Sequence, residues 1–188
     1  MRNGTFLRNV GSRLPSTKRR AALAAAALAC GATVSTAAAQ EVTARLVGYQ
    51  ETPQTINTAA SGEFRATIRD EGTAIDYQVT YQNLSSPPTQ SHIHFGEPGL
   101  SGGVALFLCT NLTPPLGVPA PQACPAPPAT ITGTLTAANV IPLPAQGIDA
   151  GATGFAEIVK AIRAGAAYAN LHTTAHPGGE IRGRLGVD

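Results

Sequence analysis

"GEFRATIRDEGTAIDYQVTYQ", residues 62–82, alternates in two halves around a short polar turn. In the first half Phe64, Ala66 and Ile68 share one face, with Glu63, Arg65, Thr67 and Arg69 on the other. In the second half Ile75, Tyr77, Val79 and Tyr81 alternate with Asp76, Gln78, Thr80 and Gln82. A period of two sends successive side chains to opposite sides of a pleated strand, so each half predicts a strand with one buried face. The glycine of Asp70-Glu71-Gly72 supplies the positive φ that a tight turn needs, and the pair reads as a hairpin.

Working outward, the same logic covers most of the chain. "VTARLVGY" (42–49) alternates Val42, Ala44 and Leu46 with Thr43 and Arg45. "TQSHIHF" (89–95) continues as a strand, and "GEPGLSGG" (96–103) breaks it. "VALFLC" (104–109) is a continuous apolar run short enough for a buried strand, and "ATITGTLT" (129–136) returns to alternation. Between them, Thr113 to Pro128 is too rich in proline for regular structure, because proline lacks a donor and fixes φ. "AYANLHT" (167–173) and "GEIRGRL" (179–185) read as strands around the Pro- and Gly-rich turn "TAHPGG". One helix is expected over residues 154–164, where Phe155, Ile158, Val159 and Ile162 form an apolar stripe and Gly165 ends it. Many short strands, one short helix and frequent turns predict an all-β fold, a Greek-key barrel or sandwich, in one domain spanning residues 40–188.

Residues 1–39 read as a secretory signal peptide. Six cations without an acid in residues 1–20 precede the apolar run "AALAAAALAC", too short to span a bilayer, and Ala37-Ala38-Ala39 offers a small-residue cleavage site. Cys30 offers lipidation as an alternative to cleavage after Ala39, although the leucine of its "ALAC" falls one place too late. The expectation is export to a periplasmic or extracellular location, with no membrane-spanning segment in the mature chain. Without the leader, seven Lys/Arg face eleven Asp/Glu, and the positive formal charge disappears. With no basic patch interleaved with aromatics, nucleic acid is not an expected partner. An unidentified protein or envelope component is. Cys109 and Cys124 are then the two remaining cysteines, and an oxidising compartment makes a disulfide the default. Closing a loop of about 15 residues contributes on the order of 3 kcal/mol in the loop-entropy account.

The four histidines lie in two short stretches, His92 and His94 in one, His172 and His176 in the other. On a strand, i and i+2 share a face about 6.6 Å apart. His92 and His94 therefore project together, with Ile93 opposite. His172 shares a face with Tyr168 and Asn170. If the two strands lie side by side, the imidazoles converge on one site for a copper or zinc ion. His176, before Pro177, is expected near a turn tip. The structural alternative is a set of rings bonded to carbonyls at strand ends, with Glu180 and Arg182, which share one strand face, as partners. Gly99 to Gly103 also matches G-x-S-x-G around Ser101, with Asp149 and His172 following in the order of a hydrolase triad. That elbow needs a strand-turn-helix in an α/β sheet. Here a glycine loop joins two strands, so no catalytic residue is assigned.

The stretches "LVGYQETP" (46–53), "SHIHFGEPGLSGGV" (91–104) and "AYANLHTTAHPGGEIRGRL" (167–185), in that order, resemble the CHRD domain. This module occurs in chordin, an extracellular antagonist of bone morphogenetic proteins, and in many exported microbial proteins. "QETPQ" stands where the family more often has "QEVPP". The resemblance implies an all-β, immunoglobulin-like barrel and supplies no enzymatic activity. It also places His92, His94, His172, Glu180 and Arg182 in the family's motif blocks. Chordin's other modules are absent, so growth-factor antagonism does not carry over. A fainter similarity is to copper-zinc superoxide dismutase, another exported β-barrel with a His-x-His strand. Its dinuclear site needs more imidazoles and an aspartate, so only a single centre on His92, His94 and His172 fits this chain.

Overall fold

The computed structural model describes residues 39–188. The leader expected over residues 1–39, with Cys30, falls outside them apart from Ala39. Nine strands form one antiparallel sheet: β1 (Gln40–Val47), β2 (Ser61–Arg69), β3 (Ala74–Gln82), β4 (Pro88–Phe95), β5 (Gly103–Thr110), β6 (Ala129–Thr136), β7 (Ala167–Thr173), β8 (Ile181–Arg184) and β9 (Gly186–Val187). Their order is β5-β4-β7-β8-β1-β2-β3-β6, with β9 on β1, and the sheet curls into a nearly closed barrel.

The hairpin reading holds residue by residue. β2 and β3 pair without interruption from Ser61 opposite Gln82 to Arg69 opposite Ala74. Phe64, Ala66, Ile68, Ile75, Tyr77, Val79 and Tyr81 all enter the core. A one-residue slip would turn each of them to solvent, which is why the register is so strongly specified. Gly72 takes a φ of 94°, as the turn demands, and Glu71 beside it is also left-handed at 58°.

The one α-helix among the described residues, α1 (Gly151–Arg163), buries the expected stripe of Phe155, Ile158, Val159 and Ile162 against the same core. It starts three residues before the expected boundary. Gly151, Ala152 and Thr153 carry no part of the apolar stripe, so periodicity does not register that first turn. Gly165, at φ 68°, ends it.

Edge strands β5 and β6 face the seam where the barrel does not close by strand pairing. The proline-rich segment fills this seam. Cys109 and Cys124 form the disulfide, their Cα atoms 5.1 Å apart. Thr110 donates its backbone N–H to Gln122 O at 2.8 Å. Gln122 Nε2 donates to Thr132 O on β6 at 2.9 Å, and Tyr81 Oη donates to Pro125 O at 2.6 Å. Covering an open sheet edge with a tethered loop removes a template for pairing with another chain. No helix among the described residues is long and apolar enough to cross a membrane.

Candidate metal centre

Strands β4 and β7 are neighbours, and this brings the two histidine stretches together. The register sets His92 opposite Asn170, His94 opposite Tyr168 and Gln90 opposite His172. Ile93, Ala169, Leu171 and, on β8, Ile181 point into the hydrophobic core. Alternation therefore puts His92, His94, Tyr168, Asn170, His172 and Arg182 together on the other face of the sheet. On its β5 side, β4 shifts register twice, between Ser91 and His92 and between Ile93 and His94. Such bulges locally re-aim side chains.

That outer face is not left to water. His92 is 1% exposed, His172 6% and His94 9%. Residues 48–60 and 96–102 lie over it. Arg182 donates to Thr52 Oγ1 at 2.6 Å and to Leu100 O at 3.0 Å, and Thr52 and Ser101 share a hydroxyl contact at 3.0 Å. Gly102 has to be glycine, because a Cβ there would fall 1.7 Å from Phe95 O.

The rings of His92 and His94 lie 4.6 Å apart between centroids, those of His92 and His172 also 4.6 Å, and those of His94 and His172 6.5 Å. One nitrogen from each ring lies within 4.8 Å of the other two. An ion about 2.0–2.1 Å from each nitrogen needs them about 3.3–3.6 Å apart, a small closure of side chains.

Hydrogen bonding decides which nitrogens are free. His94 Nδ1 lies 2.9 Å from Gly102 O, and His172 Nδ1 lies 2.9 Å from Pro177 O. A carbonyl only accepts, so both Nδ1 atoms carry the proton and both Nε2 atoms carry a lone pair. Those Nε2 atoms are buried without a partner, as are both ring nitrogens of His92. Each orphan costs on the order of 1–3 kcal/mol in a folded protein. Burial holds the rings neutral: His92 lies well below its ordinary value, with His172 and His94 adding to the effect. His94 is lowered to about 4 and His172 is lowered too, again through burial first. Neutral imidazoles with a free lone pair, two of them here with the tautomer fixed by a carbonyl, are the form in which histidine binds a metal.

The surrounding groups brace this cluster. Asn170 Nδ2 donates to Glu51 Oε1 at 2.6 Å, and Glu51 pairs with Arg182 at 3.3 Å. Burial pushes the Glu51 carboxyl up to about 7 despite the guanidinium beside it. Asn170 Oδ1 is buried and unused, in register with the unused nitrogens of His92. Tyr168 stacks on His94 with centroids 4.5 Å apart, and Arg182 lies 4.0 Å over the Tyr168 ring.

Of the expected site residues, His92, His94 and His172 come together. His176 does not join them: its backbone N–H bonds Thr173 Oγ1 at 3.3 Å in the turn after β7. Neither Glu180 nor Arg182 hydrogen-bonds a histidine ring. Glu180 accepts from Thr58 Oγ1, Ser85 N, Ser85 Oγ and Thr173 Oγ1, a saturated knot that ties two loops to β7. Burial alone would raise its carboxyl, but these bonds hold it below the ordinary range. The hydrolase pattern does not assemble. Ser101 bonds Thr52, His172 bonds Pro177, and Asp149 is exposed before α1. Glu51 went unread in the sequence although it lies inside "QETP". Its partners Asn170 and Arg182 are more than a hundred residues away, and only its place two residues before Pro53 hinted at a constrained loop.

A hollow of about 640 Å³ is lined by Arg45, Gly62, Tyr81 and Pro128 and shares no residue with the histidines. A smaller one, about 220 Å³, is bounded by Glu51, Pro98, Tyr168 and Arg182, beside the stack on His94. In comparison with known proteins, a family model described as CHRD domain matches residues 42–185, nearly all of the described chain. No curated protein and no solved structure matches it.

Proposed function

The chain belongs to the CHRD domain family, and we propose that it is an exported, non-enzymatic barrel module whose three buried histidines hold one copper or zinc ion. The observation that carries this reading is the set of orphaned nitrogens on His92, His94 and His172, close to one another, with the tautomers of His94 and His172 set by Gly102 and Pro177. A purely structural cluster would leave those nitrogens unsatisfied, and one ion satisfies three of them at once. Export is supported by the leader pattern of residues 1–39 and by the Cys109–Cys124 disulfide. The ion would fasten β4 to β7 and stiffen the face that loops 48–60 and 96–102 cover, leaving the outer loops to meet a protein or envelope component.

Purified without a histidine tag, the protein is expected to carry about one copper or zinc ion per chain by elemental analysis. The joint substitutions His92→Ala and His94→Ala should abolish it. Because removing two buried rings can loosen the fold, a second readout uses the unsubstituted chain. Stripped of metal and then resupplied, it should unfold at higher temperature, gaining about 2.7 kcal/mol at a free ion concentration 100 times the dissociation constant. Metal-free protein whose unfolding does not respond to either ion contradicts the reading.

A further inference from the structure

Resting on the metal-centre reading, we infer that the site selects monovalent copper over zinc and over divalent copper. Charge carries the argument. Among the described residues, the cluster that converges on one point consists of three histidines, with no carboxylate and no thiolate in it. All three donors are neutral. An ion placed there keeps its full charge in a site no more than 9% exposed. The cost of burying an ion grows with the square of its charge, so a divalent ion is penalised about four times as heavily as a monovalent one of similar size. Divalent zinc in proteins usually gains thiolate or carboxylate donors, or a fourth ligand from water.

The charge nearest the rings makes matters worse for a divalent ion. Arg182 lies over Tyr168, and Tyr168 stacks on His94, so a guanidinium sits one aromatic ring away from a ligand. Glu51, which partners Arg182, hydrogen-bonds Asn170 and no histidine ring. Glu97, the acid in the loop after β4, is exposed and outside the cluster. Imidazole alone accepts zinc and both copper states, so donor type does not discriminate here and charge does. A three-nitrogen set also completes the low coordination number that monovalent copper accepts, without a buried water.

The test is a competition under anaerobic conditions on the metal-free, tag-free protein. A chromogenic chelator for monovalent copper reports one arm, and a chromogenic zinc chelator reports the other. Monovalent copper should bind one per chain, displace bound zinc, and hold at least about 100-fold more tightly, a preference of about 2.7 kcal/mol. A redox titration of the copper-loaded protein should place its midpoint above that of copper free in the same buffer. Arg182→Met, checked for folding by circular dichroism, should narrow the preference roughly tenfold. Tighter binding of zinc or divalent copper at the same histidines overturns the inference and leaves the metal-centre reading standing. Failure of every ion to bind one per chain overturns both. A folded Arg182→Met protein with unchanged preference overturns the charge argument.

Discussion

Asn170 is the residue on which the site's second layer turns. Its amide N–H holds Glu51, while its oxygen stands unused opposite His92, which has two unused nitrogens. Once one His92 nitrogen binds a metal, the other must be an N–H, and Asn170 Oδ1 is the acceptor in register with it. Asn170→Ala should therefore weaken metal affinity by about 10- to 100-fold, as loss of an outer partner usually does. Unchanged affinity, read by chelator competition, contradicts that role. Gly179 shows how tightly the same spot is built. Its φ is 126°, and a Cβ there would fall 2.6 Å from Asn170 Nδ2 and 2.7 Å from Glu51 Oε1. At this scale the sequence is legible where the signal is local. His92 and His94 announce a shared face by their spacing. Glu51 announces nothing, because what makes it part of the site is contact with residues brought in by β7 and β8.

Among the elements, the hairpin of β2 and β3 could be read because alternation and turn chemistry lie within about twenty residues of one another. The pairing of β4 with β7 could not. It depends on which edges remain after the other strands pair, a non-local matter that periodicity does not encode. The seam filled by the proline-rich segment is similar. Its lack of regular structure was legible from proline, but its place across β5 and β6 comes from Gln122, Tyr81 and the disulfide together. Replacing Cys109 and Cys124 by serine should cost on the order of 3 kcal/mol in stability. It should also expose residues 111–128 to proteolysis while leaving the metal content of folded protein unchanged, since no ligand lies in that segment. Denaturant unfolding and a timed protease digest check both parts, and loss of metal with the disulfide would place the site's support elsewhere.

For the whole molecule, the buried rings set how stability responds to pH. In the unfolded chain, histidines take up protons below about 6.5. In the folded chain burial suppresses that uptake, down to about 4 for His94. The unfolded state thus binds more protons as the pH falls, and metal-free protein loses stability from about pH 6.5 through about 4. For His94 alone this is on the order of 3 kcal/mol. Glu51 acts with the opposite sign. Raised by burial to about 7, it lowers stability as the pH rises from the ordinary carboxylate range through that value. Three rings outweigh one carboxyl, so the thermal midpoint of metal-free protein should fall between pH 7 and pH 4. A flat or rising profile there contradicts three buried neutral imidazoles.

The pairing of β4 with β7 brings His92, His94 and His172 together on one face of the barrel, and their unpartnered nitrogens support the proposed metal centre. The most direct test is an anomalous difference map, at the absorption edge of the added ion, from crystals of tag-free protein grown with copper or zinc. A single peak bonded to His92, His94 and His172 at about 2.0–2.1 Å is the predicted result. No peak among those rings, or one held by His176 instead, would contradict it.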